Sequence, residues 1–284
     1  MHCGVVMFLT EQAMRPGALA RAVEERGFES LWLTEHSHIP ASRETPWPGG
    51  AELPREYYGL LDPFVSLAFA AEATRSLKLG TGICLVPQRD PIQTAKAVAT
   101  IDVLSGGRFL FGVGGGWNRE EMRNHGTPFE SRWKVLRERI EAMKRIWTAS
   151  EASYAGETLS FERIVAEPKP IQKPHPPIHV GGAFPGGMKR ALRYGDGWIP
   201  LLGRGDDDFA KHMTAFRRAA LEAGRDPGSL EVSAYACPPS PDLASRCAEA
   251  GVSRMVFRLP TEGGDGVLRF LDRLADVKDR VRAA

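Results

Sequence analysis

Four neighbouring residues, Glu35-His36-Ser37-His38, close the second in a series of strand-like runs, and they are where proton chemistry is expected. Imidazole is the side chain whose charge changes nearest neutrality, so a histidine at a strand end is a candidate acid or base. His36, beside a carboxylate and ahead of an aromatic loop, is read as that group. His38 is read as a surface histidine bonded to its neighbours. The pair His36-x-His38 also fits half of a zinc site, but that needs ligands at later strand ends. His179 lies inside a strand and the last run ends Arg258-Leu-Pro, so the expectation is no metal.

A second stretch points to binding. Leu104–Asn118 reads as a tight turn (Ser105-Gly-Gly), an apolar run (Phe109–Val113), three glycines (Gly114–Gly116), then Trp117 and Asn118, with Glu120 and Glu121 following. A strand end stripped of side chains lets a flat ligand approach the backbone. It is not a dinucleotide fingerprint, because Gly112-x-Gly114-x-x requires glycine where Trp117 stands. Glycine recurs in Leu79-Gly-Thr-Gly-Ile83, where it signals close backbone approach or a bulge. A third stretch, Gly181-Gly-Ala183, leads into Gly186-Gly187 and a helix over Met188–Tyr194. N–H groups at a helix start, with Lys189 and Arg190 nearby, suit a phosphate. The alternative is a loose connection with solvated basic residues.

The elements that position these groups alternate. Strand-like runs lie at Gly4–Leu9, Ser30–Thr34, Leu77–Ile83, Arg108–Val113, Pro177–Gly181, Gly197–Leu201, Leu230–Tyr235 and Ser253–Leu259, with helical patterns between them. Arg15–Arg26 stops at Gly27, and Asp90-Pro91 starts a helix that ends near Ser105. Phe129, Trp133, Leu136, Ile140, Met143 and Trp147 form one face of a long helix, and Phe209, Met213 and Phe216 form another. Eight strands alternating with helices predict an α/β fold, a closed (β/α)8 TIM barrel of one domain spanning 1–284, with insertion loops after strands 2 and 4. The first insertion, Pro40–Gly59, carries Trp47, Tyr57 and Tyr58, candidate substrate contacts on a binding loop. The second holds a small hairpin around Gly156 and a proline-rich lead-in to the fifth strand.

Composition bounds the function. The chain has 284 residues, is 43% hydrophobic and carries a net charge of +2, which gives no support for a nucleic-acid partner. No apolar run approaches a membrane span, and no basic-then-apolar leader is read at the start. Cys3, Cys84, Cys237 and Cys247 have no paired spacing and read as reduced thiols. A cytoplasmic protein is expected. The helix over Pro63–Thr74 is apolar nearly all round and needs cover on two sides. The barrel supplies one; a second subunit, or the Pro40–Gly59 loop, supplies the other.

Taken in order, Gly27–His36, Leu79–Ile83, Pro91–Lys96, Leu104–Arg108, Gly112–Trp117, Pro168-Lys-Pro170, Pro176–Gly182 and Gly195–Trp198 resemble the luciferase-like monooxygenase superfamily, in its branch that uses the deazaflavin coenzyme F420. The likeness runs from about residue 19 to about 200; beyond about 205 it is a likeness of pattern alone. It implies a TIM barrel with the cofactor ring over the strand ends and Glu35 and His36 facing it. Gly82–Ile83 is then a non-proline cis peptide behind the ring. Gly181, Gly182 and Ala183 hold the phosphate, with Lys189 assisting, and Gly116 and Asn118 lie at the rim. The family's polar contact after strand 4 falls between Asn118 and Glu121. The resemblance also implies a homodimer.

Three functions follow. One is hydride transfer between a small-molecule substrate and F420, with His36 handling the proton and Glu35 beside it. The second is an FMN-dependent monooxygenase using reduced flavin and oxygen. The third is a member that binds cofactor without catalysis.

Overall fold

The computed structural model describes residues 1–202, 208–261 and 263–283. Eight parallel strands close into a barrel: β1 (His2–Met7), β2 (Ser30–Leu33), β3 (Lys78–Thr81), β4 (Phe109–Val113), β7 (Ile178–Gly181), β8 (Gly197–Ile199), β9 (Glu231–Cys237) and β10 (Arg254–Arg258), with β10 pairing back to β1. An antiparallel hairpin, β5 (Ala152–Ala155) and β6 (Ser160–Ile164), stands outside it. Nine helices alternate with the strands among the described residues: α1 (Pro16–Glu25), α2 (Pro63–Ala73), α3 (Pro91–Leu104), α4 (Arg119–Asn124), α5 (Arg132–Thr148), α6 (Gly186–Tyr194), α7 (Phe209–Glu222), α8 (Pro241–Glu249) and α9 (Asp265–Ala283). The alternation expected of a (β/α)8 barrel is present, with the insertions after the second and fourth barrel strands. The first strand starts and ends two residues earlier than the apolar pattern suggests.

Local chemistry sets these boundaries. Asp62 and Asp90 cap α2 and α3 by accepting backbone N–H groups, and a proline follows each. Chain reversal after α3 uses Gly106 and Gly107, at φ of +68° and +82°, and delivers β4 into the sheet. On α5, Leu136, Ile140, Met143 and Trp147 are buried, the face anticipated from their spacing.

Two apolar clusters result. The larger lies between barrel and helices; the smaller fills the barrel with Val6, Trp32, Leu110, Ile199, Tyr235 and Val256. The interior is thus a packed core. Trp32 fits because Gly80 has no side chain: a Cβ there would stand 2.4 Å from the indole.

The N-terminal end of the barrel is shut by charge. Arg254, fully buried, donates to Glu29 through Nε and Nη2, and through Nη1 to Glu231 and Ser233, at 2.7–3.0 Å. Burial opposes ionisation of Glu29, but bonds to Arg254, its charge and that of Lys78 outweigh this and hold the carboxyl at about 2. His179, also fully buried, sits above this cluster against Trp32, and desolvation, aided by Arg254, lowers its pKa to about 4.

All four cysteines are buried free thiols. No helix among the described residues is long and apolar enough to cross a membrane.

Candidate active site

At the opposite end, the segment after β2 carries His36 to the strand ends. Its Nδ1 lies 2.8 Å from Glu121 Oε2, and its Nε2 accepts from the Trp117 indole N–H at 3.2 Å. The side chains of His36 and Glu121 are 7% and 0% exposed. The other oxygen of Glu121 accepts the Ser37 backbone N–H at 3.0 Å. Burial alone would raise this carboxyl; the His36 ring and the Ser37 backbone N–H bonded to it overcome that and lower its pKa. Ser37 Oγ meets His38 Nδ1 and His125 Nε2, and His38 Nε2 meets the Asn124 amide, so His38 belongs to a surface network.

Glu35 is placed differently from the expectation that it faces a cofactor ring. Its carboxylate accepts the Leu85 backbone N–H at 2.6 Å and pairs with Arg89, which also reaches Asp62. Adjacent residues on an extended segment point opposite ways, so Glu35 turns to the segment after β3 while His36 turns to Glu121. The carboxylate of Glu35 is spent on anchoring that segment, and the carboxylate on His36 comes from α4.

The first insertion folds over His36. Trp47 donates to the Tyr57 hydroxyl at 3.2 Å, the Tyr57 ring lies 5.3 Å from His36, and Phe8 and Trp117 flank Tyr57. Glu120 ties the loop down by accepting the backbone N–H and the hydroxyl of Thr45. Arg258 binds Glu56 at 2.7 Å. Tyr57 is thus brought to His36, with Trp47 packed behind it. Tyr58 is 56% exposed and makes no ring contact among the described residues.

The Gly82–Ile83 peptide is cis, and the Tyr235 hydroxyl donates to the Gly82 carbonyl at 2.6 Å. The glycines around it serve this chain's own side chains. A Cβ on Gly82 would meet the Tyr235 hydroxyl at 2.0 Å, one on Gly114 would meet Ile83 Cδ1 at 1.8 Å, and one on Gly181 would meet Ile83 Cγ2 at 3.0 Å. A Cβ on Gly115 would meet Trp133 at 2.5 Å. Gly181, expected to hold a phosphate, also forms a wall of the socket for Ile83. Gly116 is fixed by its φ of +73°. Asn118 caps α4 through Oδ1, which accepts the Glu121 N–H, while its buried Nδ2 has no partner.

At the β7–α6 turn, the Gly182 N–H bonds to Ile199 O and its carbonyl accepts the Trp198 indole N–H. Trp198 is fully buried and belongs to the core. Gly182, at φ +142°, has a guanidinium nitrogen of Arg190 3.1 Å from where its Cβ would be. Arg190 lies over the Trp133 ring at 3.6 Å, its Nε is buried and unbonded, and no described carboxylate pairs with it. Burial lowers its pKa. Arg132 stacks on the same ring at 4.6 Å, with a buried unbonded Nε of its own. Lys189, the expected cation, is exposed; its neighbour Arg190 faces the turn. Ala183 is exposed and its carbonyl accepts the Gly187 N–H.

These observations fit a flat, anionic cofactor. Two arginines that form no salt bridge with a described carboxylate and the unbonded Asn118 amide offer donors to an anion, and Gly82–Ile83 lies against Tyr235 of the barrel core. No cluster of metal-ligating side chains occurs among the described residues.

Sequence reasoning placed Arg190 near the phosphate turn and Glu121 within the 118–121 polar contact, but it preferred Lys189 to Arg190, did not pair Glu121 with His36, and missed Arg89. The spacing Asn118-x-x-Glu121 is that of a capping box, and that spacing was the available signal. It locates the helix start, but not the histidine that the carboxylate serves.

Comparison with known proteins agrees with this fold. The luciferase-like monooxygenase family model matches residues 9–271. An uncharacterized protein of Mycobacterium tuberculosis is 40% identical over 279 residues, covering 97% of this chain and 98% of the relative. The F420-dependent hydroxymycolic acid dehydrogenase of the same organism is 30% identical over 233 residues, covering 80% of this chain and 60% of that protein. Among solved structures, an F420-dependent secondary alcohol dehydrogenase in complex with an F420-acetone adduct superposes with a TM-score of 0.78 at 20% identity, covering 99% of each chain, a likeness of fold.

Proposed function

The chain belongs to the luciferase-like monooxygenase family, and from that premise we propose that it is an oxidoreductase moving a hydride between a small organic substrate and the deazaflavin coenzyme F420. The observation that carries the reading is His36: buried at the strand ends, held by Glu121 and roofed by Trp47, Tyr57 and Trp117. That is a proton-handling group in an apolar, water-poor setting, which suits alcohol–carbonyl chemistry. When bound, F420 supplies a two-electron hydride acceptor or donor. Arg190 and Arg132 hold its phosphate, Ile83 backs its ring, and Asn118 offers a hydrogen bond. His36 takes the substrate hydroxyl proton, or returns it, as the hydride moves. The aromatic roof orients the substrate and excludes water.

Titration with F420 and with FMN, followed by fluorescence, tests the cofactor. F420 is expected to bind in the micromolar range or tighter; tight binding of FMN with none of F420 overturns the reading in favour of a flavin monooxygenase, and binding of neither in favour of a non-catalytic member. Replacing His36 with Ala is expected to lower the chemical step about 10²–10⁴-fold while cofactor affinity changes far less. A wild-type single-turnover rate in that variant removes His36 from the mechanism.

We also propose that a second copy of the chain covers α2. Val65 and Phe69 are 61% and 64% exposed and line an 840 Å³ groove between α1 and α2. The Pro40–Gly59 loop, the other cover considered, leaves this face open. Sedimentation checks the pairing: a dimer that Phe69→Glu dissociates is expected, and a wild-type monomer overturns it.

A further inference from the structure

We propose that Glu121 is a positioning residue that fixes the His36 imidazole in its Nδ1–H form, and that Trp117 occupies the Nε2 lone pair in the place a substrate hydroxyl takes. The inference rests on the reading of His36 as the proton-handling group.

The donor and acceptor inventory dictates the tautomer. An ionised carboxylate only accepts and an indole N–H only donates. Glu121 Oε2 on one side of the ring therefore requires the proton on Nδ1, and Trp117 Nε1–H on the other requires a lone pair on Nε2. The second oxygen of Glu121 is pinned by the Ser37 backbone N–H, and the side chain is fully buried, so the carboxylate does not turn away.

The same inventory makes Trp117 a placeholder. An imidazolium would set Nε2–H against the indole N–H, donor to donor, at 3.2 Å. Proton uptake at Nε2 thus requires the indole to yield. Trp117 is only partly buried, which gives it room to do so. A carbinol hydroxyl entering from the aromatic roof replaces one donor with another. In the oxidative direction its O–H bond breaks and the proton passes to Nε2. The oxygen pair forms the carbonyl as the C–H hydrogen leaves with its electron pair to oxidised F420. The Nδ1–H bond to Glu121 persists and stabilises the imidazolium, as a buried carboxylate does for the histidine of a serine hydrolase.

The test reads the tautomer in the cofactor-free protein. With ¹⁵N-labelled histidine, long-range ¹H–¹⁵N spectra distinguish Nδ1–H from Nε2–H for each of the seven histidines, and His36→Gln assigns the signal. Wild-type His36 is expected as the Nδ1–H form. In Glu121→Gln one amide oxygen must serve two donors, so that form is expected to give way to a mixture or to Nε2–H. Trp117→Phe is expected to keep Nδ1–H and so separates the two partners. In turnover, Glu121→Gln is expected to lower kcat about 10²–10⁴-fold, within the range for lost acid–base help, with KM changed less. A wild-type Nε2–H spectrum, or an unchanged spectrum in a folded Glu121→Gln protein, overturns the proposal. Failure to bind F420 overturns the hydride reading and leaves the tautomer result standing.

Discussion

The two ends of this barrel each bury arginine, and they treat it in opposite ways. At the N-terminal end Arg254 is matched by Glu29 and Glu231, and its pKa is raised by those partners against its burial. At the C-terminal end Arg190 is matched by an aromatic face, and burial lowers its pKa. An arginine whose counter-charge is built into the chain belongs to stability. One that pairs with no described carboxylate, beside a flat ring and a glycine turn, is the one proposed to take its counter-charge from a ligand.

The largest effect that tests this contrast is Arg254→Met. It leaves Glu231 without its arginine and Glu29 with Lys78 alone, and should destabilise the fold by about 3–5 kcal/mol, read in urea melts. A loss below about 1 kcal/mol would break the comparison. Next is acid sensitivity at the same end. Unfolded, His179 takes a proton near its ordinary value of 6.5; folded, only near about 4. Between these values the unfolded chain binds the extra proton, so stability is full above pH 6.5 and falls as pH drops toward 4. The slope is up to about 1.4 kcal/mol per pH unit, and His179→Leu should flatten this part of a Tm–pH curve. Third, Arg190→Gln should weaken F420 binding about 10–100-fold, the worth of a charge-assisted bond, with stability altered by less than about 1 kcal/mol. Equal losses of both quantities would make Arg190 structural after all. Smallest is Lys189→Ala, where affinity and stability should each move by less than about 0.5 kcal/mol.

The barrel was legible because its signals are local and periodic. The cap at Asp90, the turn after Ser105 and the apolar faces of α5 and α7 each announce themselves within a few residues. His36 was legible through its position after a strand. Its partner was not, because the adjacent carboxylate in sequence, Glu35, is carried to the other side of an extended segment, while Glu121 arrives from 85 residues away. The glycines were legible only in part, for a related reason. A missing Cβ signals that something fills the space, and sequence does not say whether a ligand or a side chain does. Here Trp32, Tyr235, Ile83 and Trp133 fill it. Lys189 and Arg190 differ by one residue on α6, about 100° around the axis, and that rotation decides which cation faces Gly182.

The fit of Ile83 between Gly114 and Gly181 sets an order in which this mouth can change over generations. An alanine at 114 arriving first would drive Ile83 Cδ1 out of its niche, toward the space where the ring is proposed to lie. If position 83 shortens first, valine removes the Cδ1 that blocks a methyl group at 114, and alanine also removes the Cγ2 that faces 181. The same two substitutions are thus harmful along one route and tolerable along the other. A laboratory lineage selected for new cofactors or substrates should pass through position 83 before either glycine is replaced.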